Sequence, residues 1–177
     1  MVAHAQPLAA SALEAAIPLG VLDWPAIESE LAAYGSAVAP KLLSPETCRE
    51  LAALYGDDKG FRSRIVMAAH GYGPGDYNCL HQDVYGEHLF PLQVAILLSE
   101  PGRDFTGGEF VLTEQRPRMQ SRAEVVSLRQ GDGVIFAVRE RPVQGARGTY
   151  RVNLRHGVSR IKSGERFTLG IIFHDAA

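Results

Sequence analysis

The stretch Tyr72-Gly-Pro-Gly-Asp-Tyr-Asn-Cys-Leu-His-Gln-Asp83 decides how this chain is interpreted. Its first four residues predict a turn, because glycine and proline are the residues that most readily reverse a chain. It ends in His81-Gln82-Asp83, where an imidazole and a carboxylate stand two residues apart. In extended backbone, residues i and i+2 point to the same face, so both side chains can reach one metal ion.

A third ligand has to come from elsewhere in the chain, and His156 is the candidate. It lies on a predicted strand far along the sequence, as a barrel that closes around one metal would require. Two histidines and a carboxylate form the facial triad of non-haem Fe(II) oxygenases, which leaves positions open for a co-substrate and dioxygen. A His-x-Asp pair alone is weak evidence, so the surrounding pattern has to support it.

Arg166 follows His156 after a predicted turn at residues 162–165. If the strands on either side of that turn pair as a hairpin, the guanidinium can enter the same cavity and bind a carboxylate through two hydrogen bonds. Thr168 shares a strand face with Arg166, so its hydroxyl can bind the same carboxylate. The alternative is that His156 and Arg166 form a surface pair on an antiparallel hairpin.

The bulk composition indicates one folded domain. The chain has 177 residues, of which 46% are hydrophobic and 21% charged, which is typical of a globular protein with a substantial core. Residues 1–100 carry a net charge of −7 and residues 101–177 carry +5, and 12 of the 15 arginines lie in the second part. Such asymmetry can mark a surface for an anionic partner such as nucleic acid, or simply solvated strand faces.

The remaining global features concern location and boundaries. Two distant cysteines, Cys48 and Cys79, predict neither a disulfide framework nor a zinc site and fit a reducing cytoplasm. The Ala-rich start lacks a basic region and is interrupted by charge and proline, so it predicts neither a signal peptide nor a membrane span. We interpret residues 1–20 as an N-terminal lead-in and 21–177 as a single domain.

Two helices precede the strand-rich part of the chain. Asp23 is the expected cap of the first, which Gly35 ends, and Ser44 is the expected cap of the second, which runs to Gly56. A short extended piece at 37–42 separates them. The predicted strands are 61–67, 92–99, 109–113, 124–128, 134–138, 152–161 and 166–174.

Three turn or loop signals divide these strands. Gly107-Gly108 breaks the chain before one strand, and Gly131-Asp132-Gly133 is typical of a hairpin turn. The Gly-, Arg- and Gln-rich segment 139–149 is expected to be an exposed loop near a barrel mouth. Short strands after two helices predict a mainly β fold with flanking helices, namely a double-stranded β-helix (jelly roll) with two N-terminal helices packed on one sheet.

The motifs together resemble a known superfamily. The stretch 72–83, the run Gly107-Gly-Glu-Phe110, the turn at 131–132 and the segment from His156 to Arg166 are similar to the Fe(II)/2-oxoglutarate-dependent dioxygenases. More narrowly, the chain resembles a prokaryotic group described as acting in oxidative demethylation of damaged DNA. The resemblance implies iron held by His81, Asp83 and His156, with 2-oxoglutarate and dioxygen as co-substrates.

The same resemblance assigns the co-substrate contacts. It implies that Arg166 holds the distal carboxylate of 2-oxoglutarate and that Tyr72 reaches the same molecule, as in AlkB-type demethylases. Two departures from that type stand out. A second arginine is expected six residues after Arg166, where this chain has Ile172, and the spacing from His156 to Arg166 looks more like that of prolyl hydroxylases.

The function expected from this resemblance is coupled oxidation. Decarboxylation of 2-oxoglutarate to succinate accompanies oxidation of a C–H bond, with demethylation of alkylated DNA as one outcome. The alternatives are a hydroxylase of a protein side chain or small molecule, and a non-catalytic cupin-like metal binder, which Arg166 argues against. Six arginines are candidates for phosphate contacts, namely Arg116, Arg118, Arg122, Arg139, Arg141 and Arg147.

Several features stay open at this level. The substrate and the oligomeric state are not indicated by any motif. His88 and His174 are either partners of the site or ordinary polar histidines. The junction His70-Gly71 is shorter than the helical segment that relatives carry there, which would reduce the cover of the active site.

Overall fold

The computed structural model of the chain describes residues 19–56, 73–84 and 89–172. Helix α1 is Trp24–Tyr34 and helix α2 is Pro45–Ala53, with short 3₁₀ turns at Leu19–Val21 and Leu54–Gly56. The strands are β1 Ser36–Ala39, β2 Asn78–His81, β3 Leu92–Leu97, β4 Phe105–Gly107, β5 Phe110–Gln115, β6 Arg122–Val126, β7 Gly133–Ala137, β8 Glu140–Gly145, β9 Gly148–Val158, β10 Ile161–Gly164 and β11 Thr168–Ile172.

Both predicted helices are confirmed, together with their caps. The carboxylate of Asp23 accepts a hydrogen bond from the amide of Ala26 at 3.0 Å, and Ser44 accepts one from the amide of Thr47 at 3.1 Å. Gly35 ends α1 in the left-handed conformation, with φ of 80°. These contacts satisfy amide groups that the first turn of a helix leaves without a partner.

Two antiparallel sheets form most of the described structure. One has four strands in the order β1-β7-β3-β11, and the other has five, in the order β2-β9-β5-β6 with β8 also paired to β9. Strands β4 and β10 form a separate pair. The described part of the chain is therefore mainly β with few helices, as the sequence predicts.

The helices cover the four-stranded sheet. Ile27 of α1 and Cys48 of α2 belong to the same buried cluster as Ile96 of β3, and Val94 and Ile135 from the sheet pack against it. Each helix places an apolar stripe on the sheet, which removes that surface from water. The prediction of two helices on one sheet is confirmed.

A second apolar cluster joins the two sheets. It contains Phe110 and Leu112 of β5, Val134 and Phe136 of β7, and Leu154 of β9. Strands of the four-stranded sheet are thus buried on both faces, because helices lie on one side and the other sheet on the other. The metal-ligand candidates lie at this interface between the sheets.

The prediction of an exposed loop at 139–149 is wrong. The segment forms a hairpin in which β8 pairs with β9, and Gly145 lies opposite Gly148 at its tip. Although the sequence of this segment is polar, a buried residue holds it in place. Arg141 is buried and donates hydrogen bonds to the carboxylate of Glu114. A hydrophobic pattern cannot show a strand that is held by a buried ion pair.

Two further boundaries differ from expectation. The turn at Gly131-Asp132-Gly133 exists, but it connects β6 and β7, which lie in different sheets and do not form a hairpin. The strand expected at 152–161 breaks after Val158, and β10 then pairs with β4 across residues expected to be a turn. The chain changes sheets at these points, which periodicity along one segment does not reveal.

Some predictions lie outside the described residues. These are the strand at 61–67 and most of the lead-in at 1–20, so the division into lead-in and single domain stays a prediction. Both cysteines are free, with Cys48 buried and Cys79 exposed. In the described ranges, no helix is long and apolar enough to cross a membrane.

Candidate metal centre

The structure brings His81, Asp83 and His156 together. One ligand atom from each of the three lies within 4.8 Å of the other two. The Nε2 atom of His81 is 3.4 Å from one carboxylate oxygen of Asp83, and Nε2 of His156 is 3.3 Å from the other. Both imidazoles therefore direct the same type of nitrogen at one carboxylate, and the three residues that the sequence predicts to converge lie together.

Strand pairing creates this convergence. His81 ends β2 and lies directly opposite His156 in β9. Their rings are 4.3 Å apart between centroids. Directly opposed residues in an antiparallel pair point to the same face of the sheet. Asp83 follows just beyond the end of β2, where the chain is free to turn its carboxylate toward both rings.

The orientation of His81 is fixed by the backbone. Its Nδ1 atom lies 2.7 Å from the carbonyl oxygen of Cys79. Because a carbonyl oxygen can only accept, Nδ1 must carry the proton, so in the neutral imidazole Nε2 has its lone pair available for a ligand bond. A backbone carbonyl behind a ligating imidazole is a common way to select the tautomer that binds metal.

His156 is held by aromatic packing. Its ring stacks on Phe110 at 6.1 Å with an interplanar angle of 12°, and Phe136 lies 4.6 Å away. The residue is only 6% exposed. Its Nδ1 atom is buried and has no hydrogen-bond partner among the described residues. The site thus has one imidazole fixed by a hydrogen bond and one fixed by apolar walls.

The charge of Asp83 suits a metal ligand. Burial raises the pKa of its carboxyl group, but hydrogen bonds with His156 and His81 outweigh burial and leave the pKa far below its usual range. The hydrogen bond with Asp83 in turn raises the pKa of His81. The carboxylate is therefore anionic at neutral pH. Two imidazole nitrogens and one carboxylate oxygen are the donor set that ferrous iron takes in non-haem oxygenases.

Arg166 lines a cavity next to this cluster. The cavity has a volume of about 330 Å³, and Phe110 lines it together with Arg166. Since Phe110 also stacks on His156, its ring joins the cavity to the metal-ligand candidates. Arg166 is 2% exposed and donates a hydrogen bond to the hydroxyl of Thr168. A buried guanidinium in a mainly apolar cavity can bind an anionic group strongly.

Gly108 leaves space for the side chain of Arg166. The glycine has φ of 65°, and a Cβ atom there would lie 2.9 Å from Cδ of Arg166 and 2.2 Å from Cδ1 of Ile161. Only glycine adopts this backbone conformation without strain and leaves this space empty. The Gly-Gly pair therefore does more than break the chain, because its second member shapes the arginine cavity.

The route by which Arg166 reaches the site differs from expectation. It does not lie on a hairpin neighbour of the His156 strand, because β11 pairs with β3 in the four-stranded sheet, with Thr168 opposite Leu97. The chain switches sheets between β9 and β11. Arg166 thus lies just before a strand of the sheet that does not carry His156, and the alternative of a surface pair is excluded because both residues are buried.

Other predicted residues have mixed outcomes. Tyr72, His88 and His174 lie outside the described residues. Arg141, a candidate for phosphate contacts, is wrong in that role because its buried guanidinium is bound to Glu114. The other five candidate arginines are exposed.

Sequence reasoning missed the residues that support the ligands. Phe110 and Phe136 enclose His156, and Gln82 donates hydrogen bonds to the backbone carbonyls of Leu154 in β9 and of Arg139 just before β8. The only signal was that Gln82 stands between two ligand candidates. Aromatic residues in strands are too common to indicate such a role on their own.

Comparison with known proteins gives a family. Residues 41–176 match a family model described as Oxygenase-NA, an oxygenase catalysing oxidative methylation of damaged DNA. The chain is also 58% identical over 116 residues to the uncharacterized proteins Rv2227 and MT2286 of two Mycobacterium tuberculosis strains. These matches cover 66% of this chain and 49% of each relative, so the chain spans about half the length of the curated relatives it matches.

One of the aligned solved structures shows a similar fold. A Pseudomonas putida prolyl-4-hydroxylase aligns with a TM-score of 0.53 and 17% identity, covering 85% of this chain and 94% of that one. A Burkholderia pseudomallei oxidoreductase of the 2OG-Fe(II) oxygenase family aligns with a TM-score of 0.42 and 23% identity, covering 60% of this chain and 41% of that one. Since the family model matches most of its residues, the chain belongs to the Oxygenase-NA family.

Proposed function

We propose that the chain is an Fe(II)- and 2-oxoglutarate-dependent dioxygenase built on a double-stranded β-helix. In the overall reaction, 2-oxoglutarate, dioxygen and a substrate C–H bond give succinate, carbon dioxide and a hydroxylated product. The single observation that carries the proposal is the convergence of His81, Asp83 and His156 within 4.8 Å. Family membership and the antiparallel sheets support it.

The three side chains are the proposed iron ligands. Ferrous iron, when bound, supplies the open coordination positions at which a co-substrate and dioxygen react. The chain's own contribution is to hold the ligands ready for it. The carbonyl of Cys79 keeps the proton of His81 on Nδ1, and Phe110 and Phe136 exclude water from one side of His156.

Arg166 and Thr168 are the proposed anchors of 2-oxoglutarate. The guanidinium offers a planar set of donors that matches a carboxylate, and burial strengthens that interaction. The cavity of about 330 Å³ that Arg166 lines has apolar walls that suit the methylene carbons of a dicarboxylate. We also assign Tyr72 to this group on the resemblance alone.

Alkylated or otherwise damaged DNA is the proposed substrate. The family description names damaged DNA, and five arginines are exposed where they are available for phosphates. Oxidation of an N-methyl carbon gives a hydroxymethyl group that leaves as formaldehyde. The second candidate is hydroxylation of a protein side chain or small molecule, favoured by the short spacing between His156 and Arg166.

One assay separates these functions. The iron-loaded protein is incubated with 2-oxoglutarate, ascorbate and methylated oligonucleotides, and succinate, formaldehyde and substrate mass are measured. We expect the loss of one methylene from the DNA in the wild type and none with Asp83→Ala. A gain of one oxygen on peptide or small-molecule substrates, with no change in DNA, would support the second candidate. Absence of any succinate would favour a non-catalytic cupin-like binder.

A further inference from the structure

Strand β2 ends before its ladder is complete. His81 is the last residue of β2, and it lies opposite His156 in β9. If the strand continued by two residues, Asp83 would lie opposite Leu154, and its amide would bond to the carbonyl of Leu154. Asp83 instead leaves the ladder and turns its carboxylate inward. The carbonyl of Leu154 therefore needs another donor.

The side chain of Gln82 supplies that donor. Its Nε2 atom lies 2.7 Å from the carbonyl oxygen of Leu154 and 3.0 Å from that of Arg139. Since both neighbours are carbonyl oxygens, only the NH₂ end of the carboxamide can face them, which fixes the orientation of the group. One side chain thus bonds to two backbone segments that are remote from it in sequence.

These two carbonyls lie where β2 ends and β8 begins along β9. The amide of Leu154 donates to the carbonyl of Arg139 at 2.7 Å, just before β8 begins. Strands β2 and β8 lie end to end along the same edge of β9, with a gap between them. The carboxamide of Gln82 fills that gap and ties the end of β2 to the start of β8 through β9.

We propose that Gln82 is a positioning residue of the metal centre, whose carboxamide replaces the missing ladder hydrogen bond and holds the His81–Asp83 turn against the strand that carries His156. This inference rests on the proposed function. We call the two hydrogen bonds of the Gln82 carboxamide the clasp. Leu154 is two residues from His156 in β9, so the clasp acts on the same stretch of strand as the third ligand. The amide of Val84 donates to the carbonyl of Gln82 at 3.1 Å, which closes the turn around Asp83.

The clasp lets two conflicting requirements coexist. Asp83 has to leave the ladder for its carboxylate to face both imidazoles, yet the chain must stay close to β9 for His81 and His156 to remain opposed. The side chain between the two ligands meets both needs, because it restores the lost bond without extending the strand. Loss of a group that orients ligands typically weakens metal binding by about 10- to 100-fold.

The test compares Gln82 with a glutamine in the turn between β6 and β7. Gln82→Met keeps the length of the side chain but removes both donors, and Gln82→Glu keeps the shape but sets a carboxylate oxygen against two carbonyls. Gln130 is the matched control, because its Nε2 donates to the carbonyl of Leu98 at 2.8 Å at the end of β3. Gln130→Met and Gln130→Glu therefore remove a similar bond away from the ligands.

Cobalt(II) is the probe for the site. Calorimetry gives its dissociation constant, its visible spectrum reports the coordination geometry, and thermal unfolding of the metal-free proteins reports stability. We expect both Gln82 variants to bind cobalt about 10- to 100-fold more weakly with an altered spectrum. Both Gln130 variants should bind it like the wild type, even where they lower the melting temperature to the same degree.

The outcomes are distinct for the two proposals. If the wild type does not bind cobalt, the proposed function fails. If the wild type binds cobalt and the Gln82 variants bind it equally well with the same spectrum, only the positioning role is overturned. Equal weakening in the Gln82 and Gln130 variants also overturns it. If a Gln82 variant does not fold, the metal-free Gln82→Lys protein is used instead, because lysine keeps a donor at this position. Its amide hydrogen exchange at residues 81–84 must match that of the wild type. Faster exchange there contradicts the clasp.

Discussion

The four-stranded and five-stranded sheets share antiparallel ladders but bury different kinds of side chain. The four-stranded sheet is covered by helices and packs aliphatic residues such as Ile96 and Val134, both fully buried. The five-stranded sheet buries polar and charged groups on its inner face, among them His156 and Glu114. Both sheets bury apolar side chains, but the four-stranded sheet does so on two faces, and the other carries the metal-ligand candidates.

The difference teaches how this fold supports chemistry. Ligands that must converge on one ion need strand ends and irregular pairing, and β2 provides both where its register shifts between Asn78 and His81. Such irregularity costs ladder bonds, which polar side chains then replace. The regular, helix-covered sheet can carry the stability that the ligand-bearing sheet gives up. The following predictions test this division.

The largest effect on stability is expected in the helix-covered sheet. Ile96 is 0% exposed, so Ile96→Ala should lower the free energy of unfolding by about 2–5 kcal/mol through lost burial and a residual cavity. Val125 on β6 is 56% exposed, and Val125→Ala should change it by less than about 0.5 kcal/mol. Denaturant unfolding measures both. Equal losses would contradict the assignment of Ile96 to the buried core.

A smaller effect, with a pH signature, is expected from the charged core of the five-stranded sheet. Burial raises the pKa of Glu114, but the hydrogen bond and charge of Arg141 outweigh it and hold the pKa below its ordinary value of 4.5. The stabilisation from the ionised pair is therefore complete above that pH and is lost as the pH falls through the folded-state pKa. Glu114→Gln should cost about 1.5–3 kcal/mol at neutral pH.

The pH profile distinguishes the pair from simple packing. The difference in unfolding free energy between the wild type and Glu114→Gln should shrink steadily as the pH is lowered below 4.5. Ile96→Ala serves as the control, because its deficit has no titrating group and should stay constant over the same range. A pH-independent deficit in Glu114→Gln would show that the ion pair is not what anchors β8.

The smallest effect is expected at Gly108, between the two sheets. Gly108→Ala forces a Cβ atom against Cδ of Arg166 and should weaken 2-oxoglutarate binding about tenfold, or about 1.4 kcal/mol. Gly148 also has positive φ, but a Cβ atom there meets nothing within 4 Å. Gly148→Ala should therefore add backbone strain without changing the affinity. Calorimetry with the metal-loaded proteins makes the comparison, and equal affinities would remove Gly108 from the arginine cavity.

Local signals in the sequence were sufficient for the helices and for the ligands. Capping residues such as Asp23 and Ser44 act within one turn, so the start of a helix can be read from a few neighbours. The His81-x-Asp83 spacing is similarly local, because the alternation of an extended chain places both residues on one face. The structure confirms the helices with their caps and brings His81 and Asp83 together, but Asp83 lies beyond the end of β2 and not on extended strand. Their role as metal ligands stays a prediction.

Features that depend on strand partners could not be read in this way. The sequence predicts a loop where β8 and β9 form a hairpin, because the anchor of the hairpin is the contact between Arg141 and Glu114, residues that lie far apart in sequence. The position of Arg166, just before β11 of the other sheet, depends on where the chain changes sheets. The role of Gln82 depends on the backbone of Leu154 and Arg139, which no periodicity in the sequence indicates.

The central claim is that His81, Asp83, His156 and Arg166 form one site in which metal and 2-oxoglutarate bind together. Anaerobic calorimetry of 2-oxoglutarate with the wild type, with and without Mn(II) as a redox-stable substitute for iron, tests it most directly. We predict tight binding only when metal is present, and no effect of metal in Asp83→Ala. Equal affinity for 2-oxoglutarate with and without metal in the wild type would contradict the account.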